Sequence, residues 1–167
     1  MKTRHIFGTG LVVWAVLTVS APAAFARGGG WHYVGNPGDF GVRCPQGPLA
    51  VHTVTAKEYF RTTELSDGTT LIQVTGSLKF RLTNRRNHES TIVNASGPSV
   101  GPWQIQARSN GDLLFTAVGR NFGFAIPGLP DVFVSSGPLA VLFTDQGPVV
   151  QRMPHQVVDL CALLGAE

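Results

Sequence analysis

The side chains able to do chemistry in this chain are two cysteines, a few histidines, ten acids and a handful of exposed amides and arginines. Metal binding requires ligands that converge, yet His32, His52, His88 and His155 are scattered, with no H-x-H or H-E-x-x-H spacing. They read as surface or turn histidines, and neither a metal nor a cofactor is implied. A serine nucleophile elbow needs G-x-S-x-G, and the nearest stretches are Ser96-Gly97-Pro98 and Ser136-Gly137-Pro138, where proline after glycine suits a turn. No glycine-rich phosphate loop links a strand to a helix. Among the acids, Asp67, Asp112 and Asp145 fall in turns, whereas Glu58, Glu64 and Asp159 do not, and Asp159 beside Cys161 reads as structural. Paired carboxylates for glycoside cleavage stay open, because separation in space cannot be read from separation in sequence.

The meaning of the cysteines depends on compartment. Lys2 and Arg4 precede an apolar stretch centred on Leu11 to Val19, and Ala24-Phe25-Ala26 closes it. Charge, short apolar core and A-x-A site in that order form a secretory signal peptide over residues 1–26, cut between Ala26 and Arg27. The core is well short of the roughly 20 apolar residues a spanning helix needs, so no stable membrane anchor is expected after cleavage. The expected location is extracellular. In an oxidising compartment Cys44 and Cys161, 117 positions apart, become a disulfide rather than a metal or redox pair. The chain-entropy model gives so long a loop about 4 to 5 kcal/mol of stabilisation. No C-x-x-C spacing or neighbouring base supports a reactive thiol.

Two groups of polar residues remain as binding candidates. The turn Asn84-Arg85-Arg86-Asn87-His88 is the densest charge feature, and Arg85 and Arg86 at a hairpin tip could offer bidentate donors to an anionic cell-envelope component. The bland alternative is a solvated loop. Without residues 1–26 the chain has 11 basic against 10 acidic side chains, which is no footprint for nucleic acid. Gln73, Asn94, Gln104 and Gln106, on the face alternate to the apolar one, are candidate anchors for an oxygenated ligand if a pocket exists. Asn94-Ala95-Ser96, which matches a glycosylation triplet, reads as a turn.

The elements that must position these residues are strands. With 43% hydrophobic residues the chain is too apolar for disorder, and 20 Gly with 11 Pro argue against a helical bundle. Leu78, Phe80 and Leu82 alternate with Lys79, Arg81 and Thr83, and the same period of two recurs at Trp103 to Arg108, Leu113 to Ala117, Phe122 to Ile126 and Leu139 to Phe143. Asn110-Gly111 predicts a tight type I′ hairpin turn. Asp67-Gly68, Asn84 to His88 and Asp145 to Gly147 mark further turns, and Gly-Pro pairs at 47–48, 97–98, 101–102, 137–138 and 147–148 mark strand ends. The pentapeptide Gly-Pro-Leu-Ala-Val, at 47–51 and 137–141, reads as a turn leading into a strand, used twice. Eight to ten strands follow, an all-β antiparallel meander. Closing it into a small barrel would remove exposed edges, with a β-sandwich as the alternative. Residues 27–44 read as an irregular arm and 45–167 as one β domain, ending in a strand and one helical turn at Cys161.

Gly76 to Asn84, Asn94 to Pro98 and Val158 to Cys161 together resemble a group of small secreted proteins from high-GC Gram-positive bacteria that has no established activity. Size and strand pattern are also similar to the allene oxide cyclase and dirigent barrels, which implies a small interior receiving apolar oxygenated compounds. That second likeness is one of architecture, and no catalytic motif of either barrel family can be matched residue by residue, so no site is carried over.

Trp103, Phe115, Phe122, Phe124, Phe133 and Phe143 exceed what a minimal core needs, and a barrel of about eight strands is either filled by side chains or holds one small ligand. The expectation is a secreted binding or interaction module for a small apolar ligand or an envelope partner, with no catalytic constellation. The alternative is a cyclase- or isomerase-like barrel enzyme, which would bury polar groups of perturbed pKa at the bottom of a cavity.

Overall fold

The period-two runs form strands, and two of these are much longer than the sequence suggests. The computed structural model describes residues 29–96 and 103–166. The segment expected to be a signal peptide, with Ala26 and Arg27 at its cut, lies outside the described residues, as do the Gly-Pro pairs at 97–98 and 101–102. In chain order the elements are β1 His32–Tyr33, β2 Phe40–Cys44, β3 Gly47–Glu64, β4 Thr70–Asn84, β5 Ser90–Asn94 and β6 Trp103–Ala107. They continue with β7 Leu113–Ala117, β8 Arg120–Phe124, β9 Val132–Ser136, β10 Leu139–Thr144, β11 Gly147–Arg152, β12 Gln156–Asp159 and α1 Leu160–Leu163.

All pairing among the described residues is antiparallel. One sheet runs β1-β3-β4-β6-β7-β10-β11, with β2 added to β3 and β5 added to β4, and a second sheet runs β12-β9-β8. Among the described residues no pairing links β1 to β11, so neither sheet closes on itself.

The long ribbon β3–β4 belongs to two halves of the large sheet. Its first half carries β2 and β5, and its second half carries β1 and β6. Two features bend it. A bulge between Thr53 and Thr55 inserts Val54, and opposite Glu58 the strand passes through Gly76 at φ +132°. A Cβ on Gly76 would lie 2.2 Å from the Lys57 carbonyl oxygen, so only glycine permits this approach. The bulge also changes which positions face inward. Before it, Leu49 and Val51 are buried; after it, Ala56 packs on the core and Glu58 is buried.

Alternation then sorts side chains into two cores. Leu49, Val51, Phe80 and Leu82 from the ribbon meet Val132 of β9 and Leu160 of α1, with Phe122 and Phe124 packed against them. The opposite face of β9 presents Phe133, fully buried with Leu139 and Val141 of β10, and Phe115 and Phe143 pack beside it. The small sheet is therefore covered on both faces. Each fully buried Leu or Phe contributes about 1.5–3 kcal/mol of transfer free energy.

β2 and α1 are tied together. Cys44 and Cys161 form a disulfide with Cα atoms 5.7 Å apart. Asp159 caps α1, its Oδ1 accepting from the Cys161 and Ala162 amides at 2.8 and 3.1 Å. The final strand and single helical turn at Cys161 match the sequence reading.

Three local expectations need correction. Residues 31–44, expected to be irregular, supply β1 and β2, because Phe40, Val42 and Cys44 alternate inward while Gly41 and Arg43 point out. Leu78 to Leu82, expected as a run of its own, is part of one strand that begins at Thr70 and continues through Gly76. The β6–β7 connection is not a two-residue type I′ turn. Ala107 pairs with Leu113 around a five-residue loop, and Asn110 is not among the positive-φ residues. The Asn110 side chain instead accepts from the Asp112 amide at 3.1 Å and donates to its carboxylate at 2.9 Å.

Candidate functional site

Register and alternation define an inner face of the large sheet that continues beyond the first core. Leu78 and Ala56 share that face, and two positions further along come Gly76 and Glu58, then Val74 and Phe60, then Ile72 and Thr62. On the neighbouring strands Trp103 pairs with Val74, Ile105 with Ile72, and Phe115 with Ile105.

Glu58 is the chemically unusual residue on this face. It is 4% exposed, and its Oε1 is buried with no hydrogen-bond partner. Burial penalises the charged form and pushes the carboxyl up to about 7. One strand beyond its neighbour β4, Trp103 keeps its ring edge-on to Phe115 at 5.8 Å, and its Nε1 is also buried without a partner. Phe60, Ile72, Val74 and Ile105 around these two groups are only half-buried and belong to neither core. Unpaired buried polar atoms cost about 1–3 kcal/mol each, and the two here lie beside a half-buried apolar wall, which makes this face the candidate site.

A second unpaired set lies in the small sheet. Asn121 and Ser135 are cross-strand partners, 2% and 4% exposed, and Asn121 Oδ1 and Ser135 Oγ have no partner. They alternate with Phe122 and Val134, and so point to the same side as Phe133, toward the second core.

The residues singled out from sequence lie elsewhere. Gln73 and Gln104 are cross-strand partners, and Gln106 lies opposite Leu71, all on the outer face and opposite in orientation to Ile72 and Ile105. Gln73 Oε1 accepts from Arg61 Nε at 2.7 Å. Asn94 is separate from them: it is exposed on β5 opposite Lys79, and its Oδ1 accepts from the Ser96 amide at 3.0 Å. Arg85 and Arg86 sit exposed at the β4–β5 turn, where Arg86 Nη1 donates to the Gln46 carbonyl at 2.9 Å. Among the described residues, no three His, Cys, Asp or Glu side chains converge as a metal site would require, and no helix is long and apolar enough to cross a membrane. The disulfide suggests a non-cytoplasmic environment.

Glu58 is visible in the sequence only as an acid outside a turn. Its inward orientation depends on the bulge at Val54, which reverses the alternation that Leu49 and Val51 set up. Near neutral pH such a carboxyl can donate a hydrogen bond, accept one, or move a proton, while Trp103 offers an N–H donor. No protein-family model, curated protein or solved structure matches the chain.

Proposed function

We propose that this chain is a secreted, disulfide-linked binding module with a barrel-like curved sheet, which holds a small apolar ligand bearing a hydrogen-bonding group against its inner face. Glu58 is the polar anchor of this reading. The observation that supports it is the Glu58 carboxyl, buried, unpartnered and flanked by half-buried apolar side chains that neither core absorbs. A ligand hydroxyl would donate to Glu58 Oε1 while its chain covers Ile72, Val74 and Ile105.

Native mass spectrometry of the protein purified from its own culture supernatant tests this. A co-purifying lipophile is expected, and Glu58→Gln should weaken its retention about tenfold, the scale of losing a hydrogen bond to an ionisable group. Protein that carries no adduct and gains no thermal stability from long-chain alcohols would remove the reading.

A second reading, a cyclase- or isomerase-like enzyme, is favoured by one observation. A carboxyl with pKa of about 7 can both take and return a proton at neutral pH. Conversion of the bound compound by the parent protein but not by Glu58→Gln would select the enzyme, and recovery of unchanged compound from both would select the binding module.

A further inference from the structure

The outer face of the β3–β4 ribbon carries a second arrangement, independent of the interior. One cross-strand row runs Trp31, Arg61, Gln73, Gln104 over four strands or their extensions, and the next row holds Tyr33 opposite Tyr59. Strands stand about 4.8 Å apart, so the first row spans about 14 Å. Its members brace one another. The Arg61 guanidinium lies 4.8 Å from the Trp31 ring centroid and its Nε donates to Gln73. Tyr33 packs edge-on to Tyr59 at 5.9 Å and donates from its hydroxyl to the Ala56 carbonyl at 3.0 Å. Trp31, Tyr33 and Tyr59 nevertheless stay 43%, 55% and 42% exposed, which is unusual for three clustered large aromatic rings with no packing role in either core.

The charge on this face is one-sided. Further along the same ribbon, Lys57, Lys79 and Arg81 project outward, as does Arg43 from β2, all exposed. Within β2, β4, β5 and β6 there is no acid, and in β3 up to Thr63 the only one is Glu58, which points inward. Asp39, just before β2, is occupied by His52 at 2.8 Å and by the Thr53 amide at 3.1 Å. Clustered cations raise the local concentration of an anionic partner. Exposed planar rings with adjacent amide and guanidinium donors suit sugar rings, whose C–H faces stack on aromatics and whose hydroxyls and carboxylates take N–H donors.

We infer that the outer face of the ribbon is a binding platform for an anionic polysaccharide, with the sugar rings on Trp31, Tyr33 and Tyr59 and the anionic groups on Arg61, Lys57, Lys79 and Arg81. Affinity electrophoresis of the disulfide-intact protein through gels containing polygalacturonate, a uronic-acid polymer, tests it. Retardation is expected with polygalacturonate and absent with neutral dextran. Trp31→Ala combined with Tyr59→Ala should weaken binding about tenfold with the circular dichroism unchanged, since both rings are exposed. Lys79→Gln with Arg81→Gln should weaken it comparably and flatten its dependence on salt. Unretarded migration in polygalacturonate would overturn the proposal. Equal retention by duplex DNA or by phosphatidylglycerol vesicles, with the aromatic variant unaffected, would overturn it too, leaving only unselective attraction to polyanions.

Discussion

The carboxamide of Asn84 and the carbonyl of Leu164 lie 80 positions apart in the chain and 2.9 Å apart in space. Asn84 is the last residue of β4, 3% exposed, and it also donates to the Gly165 carbonyl at 3.2 Å while its Oδ1 accepts from the Arg86 amide at 3.0 Å. One side chain thus satisfies both the end of α1 and the start of the β4–β5 turn. Asn84→Ala should cost about 1–3 kcal/mol, because the Gly165 carbonyl and the Arg86 amide lose this partner, while the Leu164 carbonyl keeps the bond from Asn87 Nδ2 at 3.0 Å. Urea unfolding with the disulfide intact measures this, and a loss below about 0.5 kcal/mol would show that water replaces the side chain without penalty.

Glu58 sets a direction for the pH dependence of stability. Its folded-state pKa of about 7 lies above the ordinary 4.5, so between those values the folded chain holds a proton that the unfolded chain has released. Stability attributable to this group therefore falls as pH rises from 4.5 through 7, and levels off above that, by a total on the order of 3 kcal/mol. Asp39 and Asp67 act in the opposite direction at lower pH. The hydrogen bond from His52 holds the Asp39 carboxyl below the usual range, and the Thr69 amide does so for Asp67. Comparing the parent with Glu58→Gln cancels those contributions. The variant should gain on the parent steadily between pH 5 and 8 in urea midpoints, and parallel curves would contradict a buried, protonated Glu58.

Gly123 and Phe133 are cross-strand partners in the small sheet, and the Phe133 ring lies over the glycine. A Cβ at position 123 would sit 2.6 Å from the ring. Phe133 is wholly buried, so the ring has little room to move. Gly123→Ala is expected to destabilise by about 1–3 kcal/mol despite the better strand propensity of alanine. Thermal unfolding of the double variant Gly123→Ala, Phe133→Leu should recover part of that loss, and no recovery would place the strain elsewhere.

Cys44 and Cys161 link β2 to α1 across the first core, near the Gln46 amide that donates to the Ala166 carbonyl at 3.1 Å. Replacing both cysteines by alanine should lower stability by about 4 to 5 kcal/mol on chain-entropy grounds. The same substitution should leave the outer face able to bind polygalacturonate under conditions where the chain stays folded. Loss of binding without loss of fold would instead tie the bridge to the platform.

Strand positions were legible where alternation is strict and turns carry Gly, Asn or Asp, as at Trp103 to Ala107 and Leu139 to Phe143. What could not be read was anything that depends on a change of phase. Val54 looks like one more β-branched strand residue, yet as the bulged residue it turns Glu58 inward. Gly76 looks like a break, yet it lets β4 continue through a bend. The amides Gln73, Gln104 and Gln106 were recognisable as an alternate, polar face, but their company of Trp31 and Arg61 depends on β1 joining β3, and two-residue strands leave no periodic signal. Sheet topology was similarly hidden, because β8 and β9 leave the meander to form their own sheet with β12.

The β3–β4 ribbon has a kinetic consequence. Its two strands are joined by the short Leu65–Thr69 turn, closed by the Leu65 amide donating to Thr69 at 2.8 Å, so the longest element pair in the molecule is also among the most local. Hairpins of this kind form within about 1–10 μs, whereas contacts between distant stretches wait on loop closure. During synthesis the ribbon can assemble before β9, β12 and α1 exist, offering one face to each later half. The bridge to Cys161 would then join a ribbon already built, because Cys161 follows the last residue of β4, Asn84, by 161 − 84 = 77 positions.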